Sequence, residues 1–276
     1  MKKSKLLIVI YSAVAVISLV LSIVIKIDGQ RIYMPGLLTL LSLHVWDLGK
    51  FNALLYVASA LFCAVGGYLL GSTNFAILIS YEEHNDDIRR HGSKNAGMTN
   101  MIRVYGKRDG IMTAVGDAVK TAAAVLVSRL LLGEFGAYLA GLFCVLGHIA
   151  PIWYKFRGGK GVIASAIAIL ILNPLYFLVV FAVFALVFFT SHYVSMGSVL
   201  AAFTYPCVVF LGAKISSESG TASPTALIFA FFVGVMVIIM HRDNIRRVYY
   251  GEENKMYLRK SSEEKQNKPK KQDWEV

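Results

Sequence analysis

The chain has 276 residues, 56% of them hydrophobic and only 16% charged, with a mean hydropathy of +0.59. Apolar runs near the roughly 20-residue length that spans a bilayer recur along it, which excludes an ordinary soluble domain and marks an integral membrane protein. The net charge of +11 (28 basic against 17 acidic residues) does not require nucleic acid, because lysine and arginine collect in cytoplasmic loops and meet anionic headgroups.

Lys2, Lys3 and Lys5 precede an apolar run, Leu6 to Ile25. It is too long for a signal-peptide core and lacks a small-residue cleavage site, so a spanning helix with a cytoplasmic N-terminus is expected. Residues 27–50 then lie outside, with an interfacial patch over Pro35 to Leu43. A second span, Leu54 to Ser80, carries Gly66-Gly67, Gly71-Ser72 and Asn74, small or polar residues suited to close helix packing. Residues 81–108 form a polar loop. Ile111 to Leu132 and Phe135 to Pro151 are a third and a fourth span around an outer turn at Gly133.

Val162 to Leu172 is too short to span unaided. Asn173-Pro174 breaks it, and Leu175 to Thr190 returns. Met196 to Leu211 goes out, Lys214 to Ser223 is an outer loop, and Ala226 to Met240 comes back. The expected fold is an all-α polytopic membrane bundle of seven helices, several short or broken, plus one extra N-terminal helix. Residues 1–50 are an extension, 51–255 the main domain, and 256–276 a charged cytoplasmic tail without apolar periodicity. Basic residues crowd the inner loops (Arg89, Arg90, Lys94, Arg103, Lys107, Arg108, Lys155, Arg157, Lys160), with Arg129 and Lys214 as outer exceptions. This positive-inside pattern puts every polar, motif-like segment on the cytoplasmic face.

Phe156-Arg157-Gly158-Gly159-Lys160-Gly161 opens the short helix. Its glycines admit close backbone approach, successive free N–H groups would form an anion nest, and the following helix N-terminus and two cations add positive potential. A phosphate-like group fits; so does a surface turn touching lipid headgroups. Gly92 to Asn100, with Arg103, offers small hydrogen-bonding residues and a phosphate clamp, or else a capped turn. Asp117 and Lys120 share a helix face as a structural ion pair or a buried functional pair. His148 either orients the glycine loop or is an interfacial histidine. His241 and Asn244 share a face and could donate to a substrate, or end a helix. Cys63, Cys144 and Cys207 lie apart in apolar runs, with no disulfide framework. No metal spacing, Gly-x-Ser-x-Gly elbow or His-x4-Asp signature is present.

Three segments in order resemble the bacterial acyl-phosphate:glycerol-3-phosphate acyltransferase family (PlsY). The first runs from Gly71-Ser72 through Asp87-Ile88-Arg89, Gly92-Ser93, Gly97, Thr99-Asn100 and Arg103 to Gly106-Lys107. The second is Gly147-His148-Ile149-Ala150-Pro151 with Phe156 to Val162. The third is His241-Arg242-Asp243-Asn244 with Gly251 and Glu253. The resemblance covers residues 54–255. It implies a cytosolic-facing site that moves an acyl group from acyl-phosphate to the 1-hydroxyl of glycerol 3-phosphate, without a cofactor, a metal, nucleic acid or an acyl-enzyme, in a monomer surrounded by membrane lipid. Ser93, Arg103, Lys160, His241 and Asn244 are the implied catalytic residues. Asn95, Gly97, Thr99, Asn100, His148, Gly158, Gly159, Gly161, Ser198 and Glu253 are implied to bind substrate. Lys94 and Met98 stand where the family usually has glycine and alanine; Lys94 would be strained if that position needs positive φ, or would add charge to the phosphate pocket. A transporter or flippase of an anionic lipid or phosphate compound is the competing function, and a scaffold or degenerate acyltransferase that binds lipid without turnover is a third.

Overall fold

The computed structural model describes residues 2–24, 50–216 and 221–257; the expected interfacial patch and all but the first two residues of the charged tail lie outside them, as does part of the outer loop before Ser223. The elements are α1 (Lys3–Val24), α2 (Lys50–Ser72), α3 (Phe75–His84), α4 (Met98–Val104), α5 (Lys107–Ile149), α6 (Val162–Leu172), α7 (Pro174–Ser191), α8 (Val194–Ser216), α9 (Pro224–Met240) and α10 (Arg242–Tyr249). Two 3-10 turns, Ile88–Arg90 and Ile152–Tyr154, complete the set, and no strand occurs among the described residues.

Four continuous stretches among the described residues are apolar and long enough to cross a bilayer: Ala53–His84, Lys107–Tyr154, Pro174–Ser191 and Val194–Ile215. The second is a hairpin rather than one span. At Leu132 and Gly133 the backbone leaves helical geometry, with Gly133 at φ 63°, ψ −145°, a region open in practice only to glycine. Beyond it the chain runs back along itself. Cys144 Sγ lies 3.6 Å from Thr121 Oγ1, and Lys120 Nζ lies 3.1 Å from His148 Nδ1. The two arms of α5 are the third and fourth expected spans.

The expected second span differs. Helix α2 stops at Ser72, and α3 restarts after Thr73-Asn74. Asn74 Oδ1 accepts from the Ile77 N–H at 3.1 Å, an N-cap that begins a new helix. The carbonyls left free by the break, Gly71 O and Thr73 O, accept from Lys120 Nζ at 3.0 and 2.7 Å. A polar break inside a membrane needs such partners, since no water is there to supply them.

Helix α6 has 11 residues, roughly 16 Å of rise against a hydrocarbon core of about 30 Å. Arg129 Nη1 donates to Ile171 O at 3.1 Å near its C-terminus, which gives this outer arginine a structural use. Asn173 Oδ1 caps α7 through the Tyr176 N–H, with Pro174 in the first turn. Helix α10 leaves α9 at a bend of 52° at His241. The N-terminal helix α1 packs against α5 and α3. Glu82 accepts from the Ser4 N–H at 3.0 Å and from Ser4 Oγ at 2.7 Å, a carboxylate at a helix N-terminus, while Lys2 pairs with Glu83.

Two kinds of packing hold the bundle. Val125, Ala137, Ala168, Tyr205, Phe229 and Val233 belong to the largest buried apolar cluster. Helix α2 meets the second arm of α5 through glycine, with no space for side chains: a Cβ at Gly71 would lie 2.2 Å from Cys144 O, and one at Gly67 2.7 Å from Ala140 O. Van der Waals contact of this kind drives helix association in lipid. Gly71→Ala therefore should destabilise the detergent-solubilised protein by about 1–3 kcal/mol, whereas Gly66→Ala, with nothing within 4 Å of the new methyl, should be neutral or slightly stabilising; thermal melting of the two variants distinguishes them.

Candidate active site

Polar segments far apart in sequence meet at one end of the bundle. The loop before α4, the end of α5, the start of α6, the start of α8, the α9–α10 bend and the segment after α10 enclose a cavity of about 220 Å³. It places together Ser93, Asn95, Gly97, Thr99, Asn100, Arg103, His148, Lys160, Gly161, Ser198, His241, Asn244 and Glu253. It also includes Met98, Asp117, Ser195 and Arg247, which motif reasoning did not include among the site residues. Arg247 falls one helical turn beyond Asn244, and Ser195 one turn before Ser198, so helical spacing was the signal that could have found both.

At the back of the cavity the Lys160 ammonium donates to Asn244 Oδ1. Asn244 Nδ2 in turn donates to Glu253 Oε1 at 2.5 Å, and that oxygen also accepts from Ser195 Oγ at 2.9 Å. Arg247 Nε donates to the other carboxylate oxygen at 2.7 Å. Burial would raise the Glu253 carboxyl, but these three donors outweigh it and hold it below its ordinary value. Burial pulls Lys160 down to about 8, against the attraction of Glu253 and with the help of Arg247. Arg103, exposed at the end of α4, has no carboxylate partner among the described residues.

His241 is 3% exposed. Its Nδ1 lies 2.7 Å from Val237 O. A carbonyl can only accept, so Nδ1 carries the proton. Burial, then the Lys160 charge, lowers its pKa to about 4, so at neutral pH the ring is uncharged and its Nε2 is an acceptor. This corrects the expectation that His241 donates to a substrate: the carbonyl at one nitrogen reverses the role of the other.

The glycine loop departs further from expectation. Gly158 and Gly159 do not line the cavity, and their N–H groups are not free: they donate to Ile149 O and His148 O, both at 3.0 Å. A Cβ at Gly158 would sit 2.0 Å from His148 O, and one at Gly159 2.2 Å from His148 Nε2. These two glycines let the loop fold flat onto the end of α5; they are not an anion nest. Gly161, at φ 76°, caps α6 and lines the cavity with Val162 and Ile163, where the unpaired N–H groups of a helix start belong.

Asn100 is 1% exposed and saturated: Nδ2 donates to His91 O and Asn95 O at 3.0 Å, and Oδ1 accepts from the Ser93 N–H at 2.9 Å. It ties the loop rather than offering its amide to a ligand. Lys94 has φ 58° and is exposed outside the cavity. The strain is present, at about 1–2 kcal/mol, and the added charge does not reach the pocket.

The family model described as glycerol-3-phosphate acyltransferase matches residues 61–251. A glycerol-3-phosphate acyltransferase from Exiguobacterium sibiricum is 39% identical over 190 residues, covering 69% of this chain and 90% of that one. One from Clostridioides difficile is 38% identical over 210 residues, covering 74% and 98%. The crystal structure of PlsY (YgiH), an integral membrane glycerol 3-phosphate acyltransferase, in its glycerol 3-phosphate form superimposes with a TM-score of 0.65 at 31% identity, covering 72% of this chain and 96% of that one.

The Lys160 pKa has a direct consequence. The amine is charged below about 8 and neutral above it, so affinity for an anion of fixed charge, such as sulfate, should be level up to about pH 8 and then fall, by up to roughly tenfold per pH unit. Lys160→Arg should carry the plateau to higher pH; titration calorimetry across pH 6.5–9.5 checks both.

Proposed function

The chain belongs to the glycerol-3-phosphate acyltransferase family, and on that premise we propose that it transfers an acyl group from acyl-phosphate to the 1-hydroxyl of sn-glycerol 3-phosphate, giving lysophosphatidic acid and inorganic phosphate. One observation supports a donor with an anionic head and an acyl tail. The cationic cavity is continuous with an apolar groove of about 160 Å³ whose lining includes Ile169, Phe177, Val180, Phe181 and Ala201. The two spaces share Val162, Ile163, Phe184 and Ser198. A molecule with an anionic head and a long apolar tail fits across that junction.

The chemistry needs little beyond placement and charge. Acyl-phosphate is a mixed anhydride with a good leaving group. The 1-hydroxyl oxygen attacks the acyl carbon, the bond from that carbon to the phosphate oxygen breaks, and the hydroxyl proton ends on a phosphate oxygen. Lys160, Arg103 and the start of α6 offset the charge of two anions brought together, and the enclosure supplies proximity. Ser93 and Ser198 add hydroxyls at the cavity wall. His241 Nε2 accepts from the attacking hydroxyl and orients it. With a pKa near 4 it is a weak base at neutral pH, whereas a phosphate titrates near 6, so the proton passes to substrate phosphate. Among the described residues no serine is hydrogen-bonded to a histidine base, in keeping with direct transfer and no acyl-enzyme.

The cavity lies at the end of the bundle that carries Lys2, Arg89, Lys155 and Arg157, which favours a cytoplasmic opening by the distribution of basic residues. The protein is read as a monomer in membrane lipid. The catalytic unit is read as residues 51–255, with 1–50 as an extension and 256–276 as a tail.

With purified protein, acyl-phosphate and labelled glycerol 3-phosphate, phosphate and lysophosphatidate should form in equal amounts, and acyl-CoA should fail as donor. Lys160→Ala and Arg103→Ala should each lower kcat/KM by about 100-fold or more. Release of phosphate without lysophosphatidate would reject glycerol 3-phosphate as the acceptor. Ala201→Phe, which fills the groove and leaves the cationic residues alone, should shift preference toward shorter acyl chains; an unchanged chain-length profile would place the acyl tail elsewhere.

A further inference from the structure

Behind the cavity lies a buried charged cluster that the transfer chemistry above does not use. Lys120 Nζ directs its three N–H groups at Thr73 O at 2.7 Å, Gly71 O at 3.0 Å and His148 Nδ1 at 3.1 Å, and pairs by charge with Asp117 Oδ1 at 2.8 Å. The side chains of Lys120, Asp117 and His148 are 0%, 1% and 5% exposed. An ammonium only donates. The His148 Nδ1 that faces it must therefore offer a lone pair, and the ring proton sits on Nε2. The alternative, a proton on Nδ1 shared with Asp117, is disfavoured by geometry, because that oxygen is 3.5 Å away and the ammonium is closer.

With Nδ1 turned to Lys120, Nε2 is the remaining polar atom of a ring that lines the cavity. Nε2 lies against Gly159, where any Cβ would come within 2.2 Å of it. His148 lines the cavity beside Lys160 and Gly161. Among the described residues Nε2 donates to no acceptor.

We propose that His148 is a phosphate-binding donor through Nε2–H, and that Lys120, anchored by Asp117 and the two carbonyls of the α2–α3 break, is a positioning residue that selects this tautomer. The proposal rests on reading the cavity as a phosphate site. It gives the ion pair of α5 a task in binding, because the same ammonium that closes the helix break also dictates which histidine nitrogen the ligand meets.

Tautomer and anion binding can both be read without turnover. In 15N-histidine-labelled protein in nanodiscs, His148 should show a protonated Nε2 and an unprotonated Nδ1. Lys120→Met combined with Asp117→Asn, which removes both buried charges together, should release that preference. A protonated Nδ1 in the unaltered protein, or an unchanged tautomer in the double variant, would overturn the proposal. Inorganic phosphate binding supplies the second arm. His148→Gln carries an amide N–H near the Nε2 position and should bind within about threefold of the unaltered protein. His148→Asn reaches only the Nδ1 position and should bind about 10- to 100-fold more weakly, the loss expected for one hydrogen bond to a charged group. Equal affinities in the two folded variants would sink the proposal alone. No phosphate binding by the unaltered protein would sink both the proposal and the phosphate-site reading beneath it.

Discussion

The buried ammonium of Lys120 is the contact on which the rest of the architecture depends. It closes a break between two helices, pairs with a carboxylate on its own helix and reaches a histidine on the returning arm. Each of those groups would otherwise be an unsatisfied dipole or charge in a medium without water. Removing one partner of such a pair leaves a buried charge uncompensated, at a cost of about 3–5 kcal/mol. The same cluster sets the distance between α3, which leads to the Gly92–Arg103 loop, and the end of α5, which carries the glycine loop. Both walls of the cavity are therefore referred to one point inside the bundle.

Charge in the cavity follows a related logic. Lys160 and Arg247 share the carboxylate of Glu253 directly or through Asn244, while Arg103 has no carboxylate partner among the described residues. The Asp117 carboxylate is matched by Lys120. Positive charge is thus left in excess in a partly dry space, where burial depresses the Lys160 pKa. An anion in the cavity would be matched by that excess, and the adjoining groove would give an attached apolar chain somewhere to go.

The motifs marked segments that meet at one cavity and in places misjudged what their residues do. Two glycines of the Phe156–Gly161 loop looked like an anion nest; they are instead the thin spots that let the loop lie against His148 and Ile149. Asn100 looked like a ligand group and is the knot of its own loop. His241 looked like a donor and is an acceptor, because Val237 O takes its other nitrogen. In each case the residue type was informative and the partner was decisive. The partner lies on a neighbouring backbone, often at a carbonyl, which every residue has and no motif can mark.

The sequence by itself determined that the chain lives in a membrane, where most of its spans begin and end, that the short helix breaks at Asn173-Pro174, and which three segments resemble the family's motifs. Those follow from local rules: apolar length against bilayer thickness, proline and asparagine at helix ends, glycine where φ must be positive. Only the tertiary structure decided that α2 and α3 are two helices, because Asn74 caps the second and Lys120 satisfies the carbonyls of the break from another helix. It also decided which N–H groups are free, which histidine nitrogen faces the cavity, and that Ser195 and Arg247 complete the Glu253 network. These depend on hydrogen-bond partners distant in sequence, and in a medium without water each buried polar group takes the role its partner leaves it.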